Sequence, residues 1–174
     1  MIGTFAAPQM ASKIERRNSK IHGHGVFATA PIKRGELVVE YKGKLRSHAE
    51  VDEEYGGQDT GHTFLFILND QYVIDANING NIARWLNHSC SPNCQAFTVE
   101  DDGGDPRKDK VIIEALRAIQ PGEELTYDYD IQLQEPITAE ERRLWACRCG
   151  SPQCTGSMIH QAGRGSSKSA GRQP

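Results

Sequence analysis

The sequence predicts a mostly β fold that is curved rather than flat, and three observations support this prediction. Apolar residues make up 37% of the 174 residues and occur in short runs rich in Val, Ile, Phe and Tyr, as β-strands prefer. Turn-forming Gly, Pro and Asn separate these runs. Stretches with helical character are few and short. The length suits one domain with tails and is sufficient for a hydrophobic core.

The first part of the chain predicts two short strands and one helix. Residues 26–28 and 37–41 have strand composition, and Pro31 with residues 33–36 forms the turn between them. Residues 48–55 are polar and predict a helix, which the pair of glycines that follows it should stop.

The middle of the chain predicts a hairpin followed by a short helical segment. Residues 63–68 predict a buried strand, and Asn69-Asp70 predicts a turn into a second strand at residues 72–75. Asn79-Gly80 predicts another turn. Residues 81–86 leave room for only one or two helical turns.

Further strands are predicted after residue 90. Residues 96–99 and 111–115 predict a second hairpin, and its connection, residues 100–110, is long and charged, so we expect it to be exposed. Pro121-Gly122 predicts a turn into a strand at residues 124–127.

The last predicted element is a short helix with an N-terminal capping box. Thr138 is the expected N-cap and Glu141 its partner three residues later, and the helix should end near Trp145. We expect residues 1–12 to be a flexible tail. Residues 161–174 are rich in Gly, Ser and basic residues, which predicts a disordered basic tail.

Composition excludes several functional classes. The net charge of −3 does not favour a general phosphate-binding role. No run of 18 apolar residues is present, so we expect no membrane span, and the N-terminus is a poor secretion signal. Five cysteines, an odd number, with three of them closely spaced, favour a reducing compartment and a metal over a disulfide framework.

Three polar stretches carry most of the chemical information. Residues 84–94 read Arg-Trp-Leu-Asn-His-Ser-Cys-Ser-Pro-Asn-Cys, residues 122–129 read Gly-Glu-Glu-Leu-Thr-Tyr-Asp-Tyr, and residues 147–154 read Cys-Arg-Cys-Gly-Ser-Pro-Gln-Cys. Amides, an imidazole and thiols crowded into so few positions indicate a functional site. The spacing of Cys147, Cys149 and Cys154 is typical of soft metal ligands; the alternative is a set of reduced thiols without a metal.

These stretches, in this order, resemble the SET-domain lysine methyltransferases that carry a post-SET zinc motif. The upstream segments 21–27, 39–43, 73–76 and 80–81 match as well, so the resemblance covers roughly residues 14 to 160. It implies several small curved sheets and a knot-like threading of the C-terminal segment past Asn87-His88, which would place Tyr129 beside Asn87.

The resemblance also implies a division of the chain and a fourth metal ligand. Residues 13–131 would form the SET catalytic domain, and residues 132–160 a linker helix and a post-SET zinc segment. Zinc requires four ligands in a closed structural site, and the resemblance assigns the fourth to Cys90. Cys94 is the remaining thiol. Metal binding of this kind would be part of folding.

S-adenosylmethionine is the cofactor that the resemblance implies. Glycines at positions 23 and 25 permit close approach of the backbone to a ligand, although a Gly-x-Gly pair alone is more often a turn. His88 has the alternative role of a hydrogen-bonded histidine in the core. The expected cofactor-binding residues are His22, Gly23, His24, Gly25, Phe64, Arg84, Asn87, His88, Tyr129 and Arg148.

The implied reaction is an in-line displacement in which a neutral lysine ε-amine attacks the methyl carbon on sulfur. It requires alignment and a neutral amine, which an apolar aromatic channel favours by desolvation. The expected catalytic residues are Tyr129, Tyr127 and Tyr41. Tyr129 and Tyr41 have the alternative role of an aromatic residue packed in the core. The hydroxyl of Tyr127, where relatives carry Phe or Tyr, favours mono- or dimethylation.

Four carboxylates near these motifs have no role in such a displacement. We interpret Glu123-Glu124 as solvated charges at a strand edge or as turn contacts. Asp75 and Asp128 are expected to brace the threaded region by hydrogen bonding.

The sequence therefore predicts a protein-lysine N-methyltransferase. Its partner would be a protein that presents a lysine in an extended peptide, a histone by default or a ribosomal or other basic protein. The alternative is a catalytically silent SET-like zinc module that binds peptides or partner proteins. A zinc-finger nucleic-acid binder is disfavoured because no recognition helix follows the cysteines. The expected location is intracellular, in the cytoplasm or the nucleus.

Overall fold

A computed structural model describes residues 12–56, 64–133 and 136–159 of the chain. These residues form ten strands, two α-helices and one short 3-10 helix at Ile82–Trp85. In chain order the other elements are β1 (Ile14–Asn18), β2 (His24–Ala28), β3 (Leu37–Tyr41), β4 (Lys44–Ser47), α1 (His48–Tyr55), β5 (Leu65–Ile67), β6 (Tyr72–Asp75), β7 (Asn87–His88), β8 (Cys94–Val99), β9 (Lys110–Ala115), β10 (Glu124–Tyr127) and α2 (Ala139–Leu144).

The strands form three small sheets. Their strand orders are β1-β2-β10-β7, β3-β9-β8 and β4-β6-β5. All neighbouring strands are antiparallel except β7 and β10, which are parallel. This arrangement confirms the predicted mostly β fold of several small sheets with short helices.

One hydrophobic core lies between the sheets. Val26 of β2, Val111 and Ile113 of β9 and Leu125 of β10 are fully buried in it, together with Leu86 just before β7. Each such side chain contributes roughly 1.5–3 kcal/mol relative to an exposed position. The core therefore fixes the backbone of the two motif strands β7 and β10.

The late strand β10 lies between β2 and β7. Thr126 is paired with Asn87, and Tyr127 is paired with His88. The C-terminal part of the chain thus runs beside residues 87–88, as the expected threading requires.

Most predicted elements have the expected positions. The strands predicted at residues 37–41, 72–75 and 124–127 have these bounds in the structure. Both helices begin with a capping box, formed by Ser47 with Glu50 in α1 and by Thr138 with Glu141 in α2.

The prediction of a buried strand over residues 63–68 is wrong in extent and burial. Strand β5 spans Leu65–Ile67, and within the described residues its pairing partner is β6. Residue 63 lies outside the described residues. Ile67 is 68% exposed, whereas Leu68, just beyond the strand, is buried. The apolar side chains of residues 64–67 line the cavity described below. They are therefore apolar without being covered on both faces of the strand.

A buried polar cluster holds helix α1 on the third sheet. The carboxylate of Asp75, which is fully buried, accepts hydrogen bonds from the Tyr55 hydroxyl at 2.9 Å, from Nη1 of Arg46 at 3.3 Å and from the backbone N–H of Asn77 at 2.9 Å. Asp75 therefore braces α1, β4 and β6 and not the threaded region, which corrects the expectation for this residue.

Two predictions concern parts of the chain outside the described residues. The predicted tail at residues 161–174 lies wholly outside them, and the tail at residues 1–12 lies outside except for Ser12, which is exposed. The proposed division at residues 13–131 and 132–160 stays a prediction. Among the described helices, none has the length and apolar character needed to span a membrane.

Candidate functional site

A cavity of about 1330 Å³ lies where the three sheets and the C-terminal segment meet. Its walls come from the β1–β2 loop, helix α1, the edge strand β5, the ends of β7 and β10, and residues 143–148. Almost all of the expected catalytic and cofactor-binding residues line it: His22, Gly23, His24, Tyr41, Phe64, Arg84, Asn87, His88, Tyr127, Tyr129 and Arg148.

Gly25 is the exception among these residues. It is buried and does not line the cavity. A Cβ atom built on Gly25 would overlap the side-chain carboxylate of Glu124. The group that closely approaches Gly25 is therefore a carboxylate of the protein, which would have to shift to admit a side chain at this position. Gly23 does lie at the cavity, and its φ of +45° is a conformation that glycine adopts readily.

The hydroxyl of Tyr129 is fixed by a backbone group. It donates a 2.6 Å hydrogen bond to the carbonyl oxygen of Leu86. The oxygen lone pairs of Tyr129 therefore remain available to a bound group. Burial raises the pKa of Tyr129 well above its ordinary value, so the phenol is neutral at physiological pH.

Aromatic rings continue from Tyr129 along one side of the cavity. The ring centroids of Tyr129 and Tyr127 are 4.8 Å apart, those of Tyr127 and Phe66 are 6.2 Å apart, and those of Phe66 and Tyr41 are 5.3 Å apart. Burial raises the pKa of Tyr41 and of Tyr127 as well. These four neutral side chains form one continuous surface, which we call the aromatic wall: Tyr129, Tyr127, Phe66 and Tyr41.

Phe66 was not predicted as a site residue. The signal was present in the sequence, because Phe64 and Phe66 are two positions apart and successive odd or even residues of a strand share one face. Phe64 was expected at the cavity on family grounds, and period-two alternation would have added Phe66.

A second group of rings and guanidinium groups lies on another side of the cavity. The guanidinium carbon of Arg84 is 4.3 Å from the ring centroid of Phe64 and 4.7 Å from that of Trp85. The Trp85 ring also packs edge-on against His24 at 5.1 Å. Nη1 of Arg84 donates to the carbonyl oxygen of Ala76 at 2.8 Å. Arg84 is therefore held in place by cation–π contacts and one hydrogen bond.

The side-chain amide of Asn87 has a defined orientation. Nδ2 of Asn87 donates to the carbonyl oxygens of His22 at 3.3 Å and His24 at 2.9 Å, and to Oε1 of Glu124 at 2.8 Å. The opposite orientation would place Oδ1 against three oxygens, so the network assigns the amide. Oδ1 is left as the polar atom of Asn87 that can meet a ligand.

Four cysteine side chains converge near the cavity. The Sγ atoms of Cys90, Cys147, Cys149 and Cys154 all lie within 4.8 Å of one another. Sγ of Cys90 is 3.7 Å from that of Cys147 and 4.0 Å from that of Cys154. A tetrahedral zinc with Zn–S bonds of about 2.3 Å requires sulfurs about 3.8 Å apart. The four cysteines therefore fit a structural zinc ion.

Backbone groups around the cysteine cluster fit thiolate ligands. The N–H of Cys149 donates to Sγ of Cys147, and the N–H of Gly156 donates to Sγ of Cys154, each at 3.4 Å. Cys94, in contrast, is fully buried away from the cluster. Burial raises the pKa of Cys94 to about 12, so it remains a thiol in the core, as its expected role as the unused cysteine implies.

The cysteine cluster positions part of the cavity wall. Cys147 and Arg148 line the cavity, as do Trp145 and Met158 from the same segment. Within the described residues this segment contacts the rest of the chain through few regular pairings, among them the isolated bridge between Ile131 and Ile159. A metal shared with Cys90 would tie the segment to the central motif.

Comparisons with known proteins match this site. A sequence profile of the SET domain matches residues 23–130. The histone-lysine N-methyltransferase of Candida albicans, H3 lysine-4 specific, is 40% identical over 143 residues, which are 80% of this chain and 13% of that protein. Histone-lysine N-methyltransferase trithorax of Drosophila virilis is 40% identical over 139 residues, which are 78% of this chain and 3% of that protein.

A human relative and a solved structure agree with this match. Human histone-lysine N-methyltransferase 2B is 39% identical over 139 residues, 78% of this chain and 5% of that protein. The chain thus spans only a small fraction of the length of these relatives. A chain in the structure of ctPRC2 in an autoinhibited conformation bound to S-adenosylmethionine superposes with a TM-score of 0.61 and 29% identity, covering 68% of this chain and 15% of that one.

Proposed function

The chain belongs to the SET-domain family, and from this premise we propose that it transfers a methyl group from S-adenosylmethionine to a lysine ε-amine of a protein. One observation carries the proposal. The cavity combines the anchored hydroxyl of Tyr129, which donates to the Leu86 carbonyl oxygen at 2.6 Å, with the aromatic wall. This combination suits the alignment and desolvation of an amine.

The side of the cavity away from the aromatic wall suits the cofactor. When bound, S-adenosylmethionine supplies a methyl group whose bond to sulfur breaks as the lysine nitrogen forms the new bond, the electron pair remaining on sulfur. Asn87 would present Oδ1 to the amino-acid end, and Tyr129 would contact the cofactor from the end of the aromatic wall. The other residues that would form contacts are His22, Gly23, His24, Phe64, Arg84, His88 and Arg148.

The aromatic wall would bind the lysine side chain in its neutral form. In water the ε-amine has a pKa near 10.4, so roughly one amine in a few thousand is neutral at pH 7. Tyr41, Tyr127 and Tyr129 are neutral because burial raises their pKa values. The wall therefore offers ring faces and hydroxyl oxygens but no negative charge to retain an ammonium ion, and desolvation favours loss of the proton to solvent.

We also propose that the reaction stops at mono- or dimethylation. Tyr127 is only 8% exposed and lies beside Tyr129. Among the described residues its hydroxyl has no hydrogen-bond partner. That hydroxyl is therefore available to hold a water or the substrate nitrogen, in space that a further methyl group would need.

A zinc ion bound by Cys90, Cys147, Cys149 and Cys154 would be structural. All four ligand positions are supplied by the protein, which leaves no open position for chemistry. The role of the ion would be to hold the segment that carries Arg148 against the cavity.

Histone is the substrate that the relatives favour. The names of the fungal relatives specify lysine 4 of histone H3, and a histone substrate would place the protein in the nucleus. A ribosomal or other basic protein is the competing substrate class, and it would permit a cytoplasmic location.

The direct test uses S-adenosylmethionine labelled on its methyl group. The purified protein, with its zinc content measured, is incubated with histone H3, the other core histones, ribosomal proteins and cell lysate. The proposal predicts label on a lysine of a histone. Cofactor binding without label on any protein would favour the silent module that binds peptides, and absence of cofactor binding by the zinc-loaded protein would overturn the proposal.

A further inference from the structure

We infer that Glu124 is a positioning residue for the cofactor site, acting through Asn87. The inference rests on the proposed function and deepens it. Glu124 does not line the cavity. Instead its side chain lies behind the cavity wall, between the β1–β2 loop and strand β7.

The Glu124 carboxylate joins two walls that are far apart in the chain. Oε1 accepts hydrogen bonds from Nδ2 of Asn87 at 2.8 Å and from Oγ of Ser19 at 2.7 Å. Oε2 lies 2.9 Å from the same Ser19 hydroxyl. Ser19 Oγ in turn accepts from the backbone N–H of Ile21 at 2.9 Å, and the N–H of Ser19 donates to the carbonyl oxygen of Gly23 at 2.9 Å.

These contacts fix the loop that carries His22 and Gly23 relative to Asn87. Without the carboxylate, Asn87 would keep only the backbone carbonyl oxygens of His22 and His24 as acceptors, and Ser19 would lose its side-chain hydrogen bonds to β10. The spacing between the loop and β7 sets the width of this part of the cavity. The Glu124 carboxylate thus contacts Ser19, beside this loop, and Asn87 of β7 through side-chain hydrogen bonds.

The space for the carboxylate is provided by Gly25. A Cβ atom at this position would overlap Oε1 of Glu124 and would also lie 3.1 Å from the Cβ of Ser19. The second glycine of the Gly-x-Gly pair is therefore explained by Glu124. The Glu124 carboxylate is therefore in contact with three residues that fix its position: Gly25, Ser19 and Asn87.

Among the described residues, no Lys, Arg or His forms an ion pair with Glu124. Its hydrogen-bond acceptors are instead used by a hydroxyl and an amide, which are neutral donors. A glutamine at this position retains a carbonyl oxygen that can accept from both Ser19 and Asn87. We therefore expect the acceptor geometry, rather than the charge, to matter most.

The test is a double-mutant cycle on cofactor affinity, measured by titration calorimetry with S-adenosylmethionine and zinc-loaded protein. Glu124→Ala should weaken binding by about 10- to 100-fold, the effect expected for loss of the hydrogen bonds to both Asn87 and Ser19. Glu124→Gln should remain within about threefold of the unmodified protein. In an Asn87→Ala background, Glu124→Ala should change the affinity by less than about twofold, because the two residues act as one unit.

Several outcomes would overturn the inference. Unchanged binding by Glu124→Ala would do so, as would a loss of equal size in the presence and absence of Asn87. If Glu124→Ala does not fold, Ser19→Ala provides the second variant, and it should weaken binding by about 3- to 10-fold; unchanged affinity would again contradict the inference. Failure of the unmodified protein to bind S-adenosylmethionine would instead overturn the proposed function on which the inference rests.

Discussion

The backbone N–H of Tyr129 donates a 3.1 Å hydrogen bond to Nδ1 of His88, although the two residues are 41 positions apart in the chain. Nδ1 must therefore carry the lone pair, and the proton is on Nε2, which lies 3.6 Å from Sγ of Cys90. Burial lowers the pKa of His88. This effect is larger than the opposing one of the exposed Asp128 carboxylate, which lies 3.4 Å from Nδ1 and raises the pKa. A neutral imidazole thus connects Tyr129 to the cysteine cluster.

Removal of zinc should loosen the C-terminal segment and the cofactor site. The segment carrying Trp145 and Arg148 forms a cavity wall but has little core of its own, so metal binding contributes to its folding. We expect one zinc per chain by elemental analysis, and we expect Cys154→Ser to lower zinc content, thermal stability and cofactor affinity together. Cys94→Ala is the matched control and should retain its zinc. A Cys154→Ser protein with full zinc content would exclude the proposed ligand set.

Tyr127→Phe should shift the products toward higher methylation. The substitution removes a hydroxyl of the cavity wall that has no partner among the described residues and keeps the ring beside Tyr129. Mass spectra of a methylated peptide should show a larger dimethyl or trimethyl fraction at equal turnover. An unchanged product distribution would refute the proposed limit to mono- or dimethylation.

The rate of transfer should rise with pH without a loss due to tyrosine ionisation. Burial raises the pKa of Tyr41, Tyr127 and Tyr129 above the ordinary 10.0, whereas the fraction of neutral substrate lysine grows between about pH 7 and pH 9.5. We expect kcat/KM to increase over this range. A fall in kcat/KM toward pH 9.5 that is absent in Tyr127→Phe would show that Tyr127 ionises in this range. That result would contradict the raised pKa of Tyr127.

The same shifts predict a loss of stability in alkali. Because the folded state holds these phenolic protons more tightly than the unfolded state does, their contribution to stability is complete below about pH 10 and is lost as the pH rises above it. Urea unfolding at about pH 9 and pH 11 measures the difference. Equal unfolding free energies at the two pH values would contradict the raised pKa values.

Asp75→Ala should destabilise the protein by about 2 kcal/mol or more, because it removes the buried acceptor of Arg46, Tyr55 and the Asn77 N–H. Arg46 keeps its ion pair with the half-exposed Glu54. Tyr55→Phe removes only one hydrogen bond to the Asp75 carboxylate and should cost about 1 kcal/mol. Urea unfolding of both zinc-loaded variants measures the difference. A loss below about 1 kcal/mol for Asp75→Ala would show that the cluster does not hold α1 on its sheet.

The elements that were predicted correctly are those whose composition, turns and capping residues match their burial and pairing in the structure. Strand β3 and helix α1 have clear composition and caps, and both have the predicted bounds. Strand β1 was missed because it reads Ile-Glu-Arg-Arg-Asn and buries only Ile14. Strand β7, two residues long, is defined by its pairing with β10 and has no local signal of its own.

The site residues were predicted from sequence motifs. The points at which the structure differs from that prediction depend on tertiary contacts. Spacing and resemblance identified the four cysteines that converge in the structure. The position of Gly25 against Glu124 was not predictable, because it depends on packing between β2 and β10. Asp75 was misplaced for the same reason, since its partners Arg46 and Tyr55 are distant in sequence.

The most direct measurement compares Tyr129→Phe with the unmodified protein in methyl transfer and in cofactor binding. The fixed hydroxyl is expected to act on the reacting groups, so kcat should fall by about 100-fold or more while the affinity for S-adenosylmethionine changes by less than about threefold. Tyr72→Phe, which removes a hydroxyl outside the cavity, should transfer methyl groups at the unmodified rate. Full transfer by Tyr129→Phe would contradict the assignment of this cavity as a methyl-transfer site organised around Tyr129.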